Sequence, residues 1–194
     1  MVISCPLCNN QNTSLLFIKK DIPYYSCTSC GFIFSSTTSN ANLDNKITDF
    51  ETSYLQYFDE KKSDKKNHAK MLDWVNQLHP GNHKTLLDIG CGSGKWVNYL
   101  TGQGLTATGI EPSFSLYDHF LNGNPAFFYG TIDEFATANT GNAFDVITTF
   151  DVLEHIKDPV SFMKTITRLM HPGSHLLMSM PDVRSCHRKI TGKR

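Results

Sequence analysis

The second half of the chain alternates between two kinds of hydrophobic pattern. Short apolar runs of strand length, Thr85–Ile89, Leu105–Glu111, Ala126–Gly130, Phe144–Phe150 and Ser174–Met180, punctuate it. Between several of them, apolar residues return every three or four positions. Runs of the first kind can be buried on both faces of a sheet, whereas the second periodicity, as in Trp96, Val97 and Leu100, gives a helix one apolar stripe. The helix through Leu100 stops at Gly102 and Gly104, and a later one, Val160 through Met170, stops at His171-Pro172-Gly173. Strands alternating with helices predict an α/β fold.

The first half reads differently. Between Ile47 and Leu78 the residues Phe50, Tyr54, Tyr57, Phe58, Met71, Trp74, Val75 and Leu78 recur at helical steps, with a break around Ser63. Lys61, Lys62, Lys65, Lys66 and Lys70 fall on the other face, the usual pattern of a solvated helix side. Ser35 to Asn45 has loop composition and separates this region from the N-terminus. Three units follow: residues 1–34, a linker and helical cover over 35–83, and an α/β core over 84–194.

Two features carry candidate chemistry. Cys5-Pro6-Leu7-Cys8 and Cys27-Thr28-Ser29-Cys30 are paired C-x2-C turns at a separation suited to a closed four-thiolate zinc site. The apolar residues between them are too few to fold the segment alone, so metal would supply most of its folding free energy. Cys91 and Cys186 have no such partners and read as packing residues or free thiols. The second feature is Asp88-Ile89-Gly90-Cys91-Gly92-Ser93-Gly94-Lys95, a strand end, tight turn and helix start. Glycine there leaves no side chain between backbone and ligand, although a plain βα connection would look the same. The dinucleotide fingerprint requires glycine where Lys95 stands, and a P-loop needs one more residue between its glycines and Ser or Thr where Trp96 stands.

The remaining pattern, Asp-x-Gly-x-Gly-x-Gly, resembles motif I of class I S-adenosylmethionine-dependent methyltransferases. Phe144-Asp145-Val146-Ile147 leading to Val152-Leu153-Glu154-His155 and Asp158-Pro159 resembles the fourth strand and following turn of the same family. With the cysteine pairs, the chain is similar to zinc-knuckle-bearing members found in sugar, polysaccharide or natural-product biosynthesis. The resemblance implies a Rossmann-like doubly wound sheet of order 3-2-1-4-5, continued by a C-terminal antiparallel hairpin. After Pro181 the sequence is polar and basic with no strand pattern, so a C-terminally truncated chain is expected, its fifth strand an edge through which two copies could pair.

The same resemblance implies site residues. The turn of Asp88, Gly90, Cys91, Gly92 and Gly94 passes under the methionine part of the cofactor. Glu111, followed by Pro112, lies about one βαβ unit past the turn, where a carboxylate accepts from ribose hydroxyls, or else caps a helix. Ile132 and Asp133 frame adenine, with Glu134 the other acid in reach. Phe150 and Asp151 flank the reacting methyl, and Tyr54 or Tyr57 could face it from the cover, with packing in the core the alternative. His155 is the candidate general base, with a capping or core role the alternative. The implied function is methyl transfer to a small-molecule acceptor of sugar or natural-product type. The alternative is a non-catalytic cofactor-binding or zinc-mediated interaction module.

Bulk properties narrow the setting. The 194 residues suffice for one full core and a small appendage. Lysine plus arginine equals aspartate plus glutamate at 18 each, which gives no electrostatic case for nucleic acid. No apolar run reaches the roughly 18 residues of a membrane span, and no secretory signal is visible at Met1, so a cytoplasmic protein is expected.

Overall fold

The computed structural model describes residues 3–19, 21–35, 55–58, 65–81 and 84–181. Tyr54, Lys61, Lys62, the side chain of Lys65, most of the expected linker, Cys186 and the polar tail lie outside the described residues. Strands β1 (Thr13–Lys19), β2 (Ile22–Cys27) and β3 (Ile33–Ser35) form one antiparallel sheet. A second sheet is built from β4 (Thr85–Ile89), β5 (Thr106–Glu111), β6 (Phe127–Tyr129), β7 (Phe144–Phe150) and β8 (Met170–Ser179). Its longer helices are α1 (Lys65–Leu78), α2 (Lys95–Gly102), α3 (Ile132–Ala138) and α4 (Pro159–Arg168), and short helical turns over 114–121 link β5 to β6.

The larger sheet is parallel throughout and runs β6-β5-β4-β7-β8, the 3-2-1-4-5 order expected. Strand alternation divides its core into two layers. Leu86 and Val146 pack with Val75 of α1 and with Trp96, Val97 and Leu100 of α2. Leu87 and Ile147 face the other way, toward Ile132 and Phe135 of α3 and Phe162 and Ile166 of α4. Each such buried side chain contributes ~1.5–3 kcal/mol relative to exposure. The two helices of the second layer are locally specified. α3 opens on a capping box in which Thr131 and Glu134 satisfy each other's backbone N–H groups, and α4 on Asp158, which accepts from Ser161 N–H at 2.9 Å, followed by Pro159.

Lys84 fixes the entry to β4. Its side chain is buried, and Nζ donates to Asn76 Oδ1 (2.6 Å) and to the His79 carbonyl (2.7 Å) past the end of α1. A cation is well placed against the last carbonyls of a helix.

Three local readings change. Trp74 and Leu78 are not core residues: both are over 40% exposed, and Trp74 lies under Lys70 Nζ at 5.2 Å, because α1 turns Met71, Leu72 and Val75 inward. The β1–β2–β3 sheet carries no clear strand signal in sequence, since its apolar side chains stay half-exposed and, among the described residues of that region, only Cys5 and Cys27 are buried. His171-Pro172-Gly173 does not separate α4 from its strand but lies within β8. Met170 faces Phe144 and His175 faces Val146, five steps on β8 against two on β7. Ser174 holds this bulge, its hydroxyl donating to the Phe144 carbonyl at 2.6 Å and accepting from His171 N–H at 2.9 Å. A glycine at φ 97° admits the extra residues. No further strand flanks β8 among the described residues.

Candidate active site

The C-terminal ends of β4, β5 and β7 meet at the glycine turn. Gly90 and Cys91 donate their N–H groups to the Ile110 carbonyl (2.9 and 3.0 Å), which fastens the turn to β5. Gly90, Gly92 and Gly94 all have positive φ (72°, 57° and 70°), a region costly for residues with a β-carbon. A β-carbon would also collide at each: with Val152 Cγ2 at 2.5 Å from Gly90, with the Phe58 ring at 2.8 Å from Gly92, and with Leu121 and Phe127 at 2.6 Å from Gly94. Gly94 thus serves packing of α2 on β6, while Gly92 lies directly beneath a ring delivered by the helical turn 55–58.

Glu111, at the end of β5, is buried and bridges two segments. Its Oε2 accepts from Gly92 N–H and its Oε1 from Ser113 N–H, both at 2.8 Å. The carboxylate therefore ties the glycine turn to the segment that follows β5. Burial raises its pKa, opposed by the two N–H donors. Asp88, one strand over, is also buried. Its Oδ1 accepts from Thr148 Oγ1 at 2.6 Å, and burial, aided by the charge of Glu111 and opposed by Thr148, pushes its carboxyl up to about 7. Burial and the same two carboxylates raise the Cys91 thiol. A floor with two crowded buried acids favours hydrogen-bond donors and positive charge, and it repels phosphate.

The other sequence candidates sit at the end of β7 and in segments that follow β5 and β7 or precede α1. Phe150 is half-buried against the α1–α2 layer. Asp151 is exposed with φ 56°, a left-handed conformation aspartate tolerates better than most residues. It ties β7 to β8, its N–H donating to the Ser179 carbonyl at 3.0 Å and its Oδ1 accepting from Ser179 Oγ at 3.3 Å. His155 closes a short exposed 3-10 turn, Leu153–His155. Pro112 is exposed beside Glu111, and Tyr57 is 51% exposed, its ring edge-on to Phe58.

Two residues are not brought to the floor as side chains. Ile132 is buried in the α3–α4 layer. Asp133 turns to α4, accepting from Thr165 Oγ1 at 2.6 Å with Arg168 Nη2 at 3.8 Å, and Glu134 is committed to the capping box. Sequence reading missed Phe58, Lys95, Thr148 and Ser113 as site residues. Only Lys95 gave a signal, an ill-fitting residue at the third-glycine position. A recess of about 430 Å³ lined by Thr108, Phe127, Asn139 and Phe144 lies away from the turn and has no ionisable lining.

At the N-terminus the two cysteine turns match each other. Asn9 N–H bonds the Cys5 carbonyl and Gly31 N–H the Cys27 carbonyl, both at 2.9 Å, and each of these residues follows its second cysteine with positive φ (58° and 75°). The Cys5 and Cys30 sulfurs are 3.7 Å apart, those of Cys8 and Cys27 3.6 Å, and all four lie within 4.8 Å of one another. A tetrahedral site with Zn–S of about 2.3 Å has edges of about 3.8 Å.

Residues 63–193 match the family described as methyltransferase domain. The ubiquinone biosynthesis O-methyltransferase of Thiobacillus denitrificans is 32% identical over 114 residues, which cover 56% of this chain and 49% of that protein. That of Aeromonas salmonicida is 32% identical over 152 residues, 73% of this chain and 63% of the relative. The chain spans about half the length of the first curated relatives it matches. Among solved structures, the plantazolicin methyltransferase BpumL in complex with a triazolic desmethylPZN analog and SAH has a TM-score of 0.54 at 20% identity, over 71% of this chain and 53% of that one. DesVI of Streptomyces venezuelae has a TM-score of 0.53 at 21% identity, over 71% and 57%. The sheet order and the glycine turn on its central strand thus coincide with a family match over two thirds of the chain, and the protein belongs to the methyltransferase-domain family.

Proposed function

We propose that this chain binds S-adenosylmethionine and transfers its methyl group to the oxygen of a small-molecule acceptor, with a structural zinc at Cys5, Cys8, Cys27 and Cys30. The observation that carries the cofactor reading is the buried pair of acids, Asp88 and Glu111, beside the glycine turn. It suits a ligand rich in donors, cationic and without phosphate. Oxygen as the nucleophile rests on the O-methyltransferase names of the relatives. The four-sulfur geometry fits zinc, and a closed thiolate set leaves no open position for catalysis.

When bound, S-adenosylmethionine supplies a methyl carbon activated by its sulfonium. Glu111 retains free lone pairs on both oxygens for the ribose hydroxyls, and Gly90 and Gly92 have no side chains of their own, with Val152 and Phe58 packed against them. Phe150 and Asp151 lie at the end of β7, where they would orient the acceptor oxygen toward the bound methyl. Orientation of this kind can supply much of the rate, since charge is lost in the transition state. The His155 imidazole takes the acceptor's proton.

Isothermal titration of the purified protein with S-adenosylmethionine and S-adenosylhomocysteine, together with metal analysis, tests this reading. Micromolar binding and about one zinc per chain are expected. No binding at millimolar ligand would sink it. Binding without label transfer to any of a panel of hydroxylated small molecules would favour a non-catalytic module.

A further inference from the structure

Gly92 is the residue whose exposed backbone the proposed ligand needs, yet Gly92 is buried. What covers it is Phe58. A β-carbon on Gly92 would lie 2.8 Å from Phe58 Cζ and 2.9 Å from Cε1, so the ring rests on the glycine backbone itself. The ring is edge-on to Phe120, with centroids 6.5 Å apart, and edge-on to Tyr57 at 5.3 Å. The backbone of the same residue is tied down as well: Lys95 Nζ donates to the Phe58 carbonyl at 2.6 Å. Lys95 is the first residue of α2, at the position where a dinucleotide-binding turn would have glycine. Its side chain reaches from the start of that helix back across the glycine turn to the cover.

We propose that Lys95 is a positioning residue, a latch that holds Phe58 on the face of Gly92 where the cofactor lies, so that cofactor entry requires the latch to open. The inference rests on the cofactor reading above. A ligand that binds only the open form sees an affinity reduced by the open fraction. The net worth of one intramolecular hydrogen bond is such that its loss raises the open fraction about five- to tenfold. The arginine variant keeps a cationic donor of similar reach, whereas methionine keeps only the apolar stem.

The test measures S-adenosylhomocysteine association by stopped-flow tryptophan fluorescence and equilibrium affinity by calorimetry for wild type, Lys95→Met, Lys95→Arg and Phe58→Ala. Amide hydrogen exchange of the ligand-free proteins is followed in parallel at residues 55–58 and 90–94. Lys95→Met and Phe58→Ala are expected to associate about five- to tenfold faster and to bind more tightly, with faster exchange at both segments; Lys95→Arg stays near wild type. Binding by the two opened variants but not by wild type would support the latch most strongly. Unchanged association and exchange would overturn it, as would slower or weaker binding, which would make Phe58 a wall of the occupied site rather than its cover. If no variant binds at millimolar ligand while all melt cooperatively, the cofactor reading itself fails and the proposal falls with it.

Discussion

Asp88→Asn isolates the energetics of the buried acid floor. Asparagine keeps an acceptor for Thr148 Oγ1, now 2.6 Å from Asp88 Oδ1, and removes the charge. Burial pushes the Asp88 carboxyl from an ordinary value of 3.8 to about 7, so between these values the folded protein holds a proton that the unfolded chain has lost. Stability must therefore fall as pH rises through that window, and the cost is complete above pH 7. At ~1.4 kcal/mol per pH unit, the interval from pH 5 to pH 8 spans about two units of this loss, or ~3 kcal/mol. The variant lacks it. At pH 5 its amide N–H groups, which need acceptors in a site built for a carboxyl, make it equal to or less stable than wild type by ~1 kcal/mol. By pH 8 it should have gained ~3 kcal/mol relative to wild type. Glu111 and His171 titrate in both proteins and largely cancel in the difference. Urea unfolding at pH 5, 6.5 and 8 reads this through Trp96, which packs in the same core. A difference that does not change with pH would mean that Asp88 is not desolvated as described. Cofactor affinity should fall in the same variant, so stability gained against binding lost marks a functional rather than a structural acid.

Glu111→Gln should weaken S-adenosylhomocysteine binding by about tenfold or more in calorimetry. It should also destabilise the fold by ~1–3 kcal/mol, since an amide NH2 group would face Gly92 or Ser113 N–H; unchanged affinity would detach Glu111 from the ligand. Cys8→Ser should abolish stoichiometric zinc in metal analysis and speed exchange of β1 and β2, while the melting of the tryptophan-bearing core stays put, because the small sheet buries little besides two cysteines. Coupled melting of both parts would contradict that separation. The Pro172 carbonyl and Asp145 raise the pKa of His171, so its stabilisation is fully present below the ordinary histidine value of 6.5 and is lost as pH rises through the raised value. His171→Gln should therefore melt below wild type at pH 5.5 and converge with it by pH 9; parallel curves would refute the pairing.

Much of the architecture was legible because its signals are local. Apolar runs, helical periodicity and glycine stops in residues 85–170 report burial on one or two faces, and the resemblance they carry implied the strand order found in β6-β5-β4-β7-β8. The paired C-x2-C turns announced themselves by spacing, and each pair closes the same backbone hydrogen bond. Side-chain direction at the ends of elements was not legible. Asp133 and Glu134 are adjacent acids at the start of one helix, and nothing in their order shows that one reaches Thr165 and the other Thr131. Pro172-Gly173 reads as a stop, but pairing with β7 continues past it, since Ser174 can satisfy the bulge from both sides. Sequence alone determined that a ligand without phosphate could lie against a turn at Gly90–Gly94. Only the tertiary structure decided that Glu111 supports that turn from below and that Phe58, 37 residues before Lys95, lies on it from above. Periodicity reports which face of an element is buried, whereas contacts between distant segments arise only when the chain is packed.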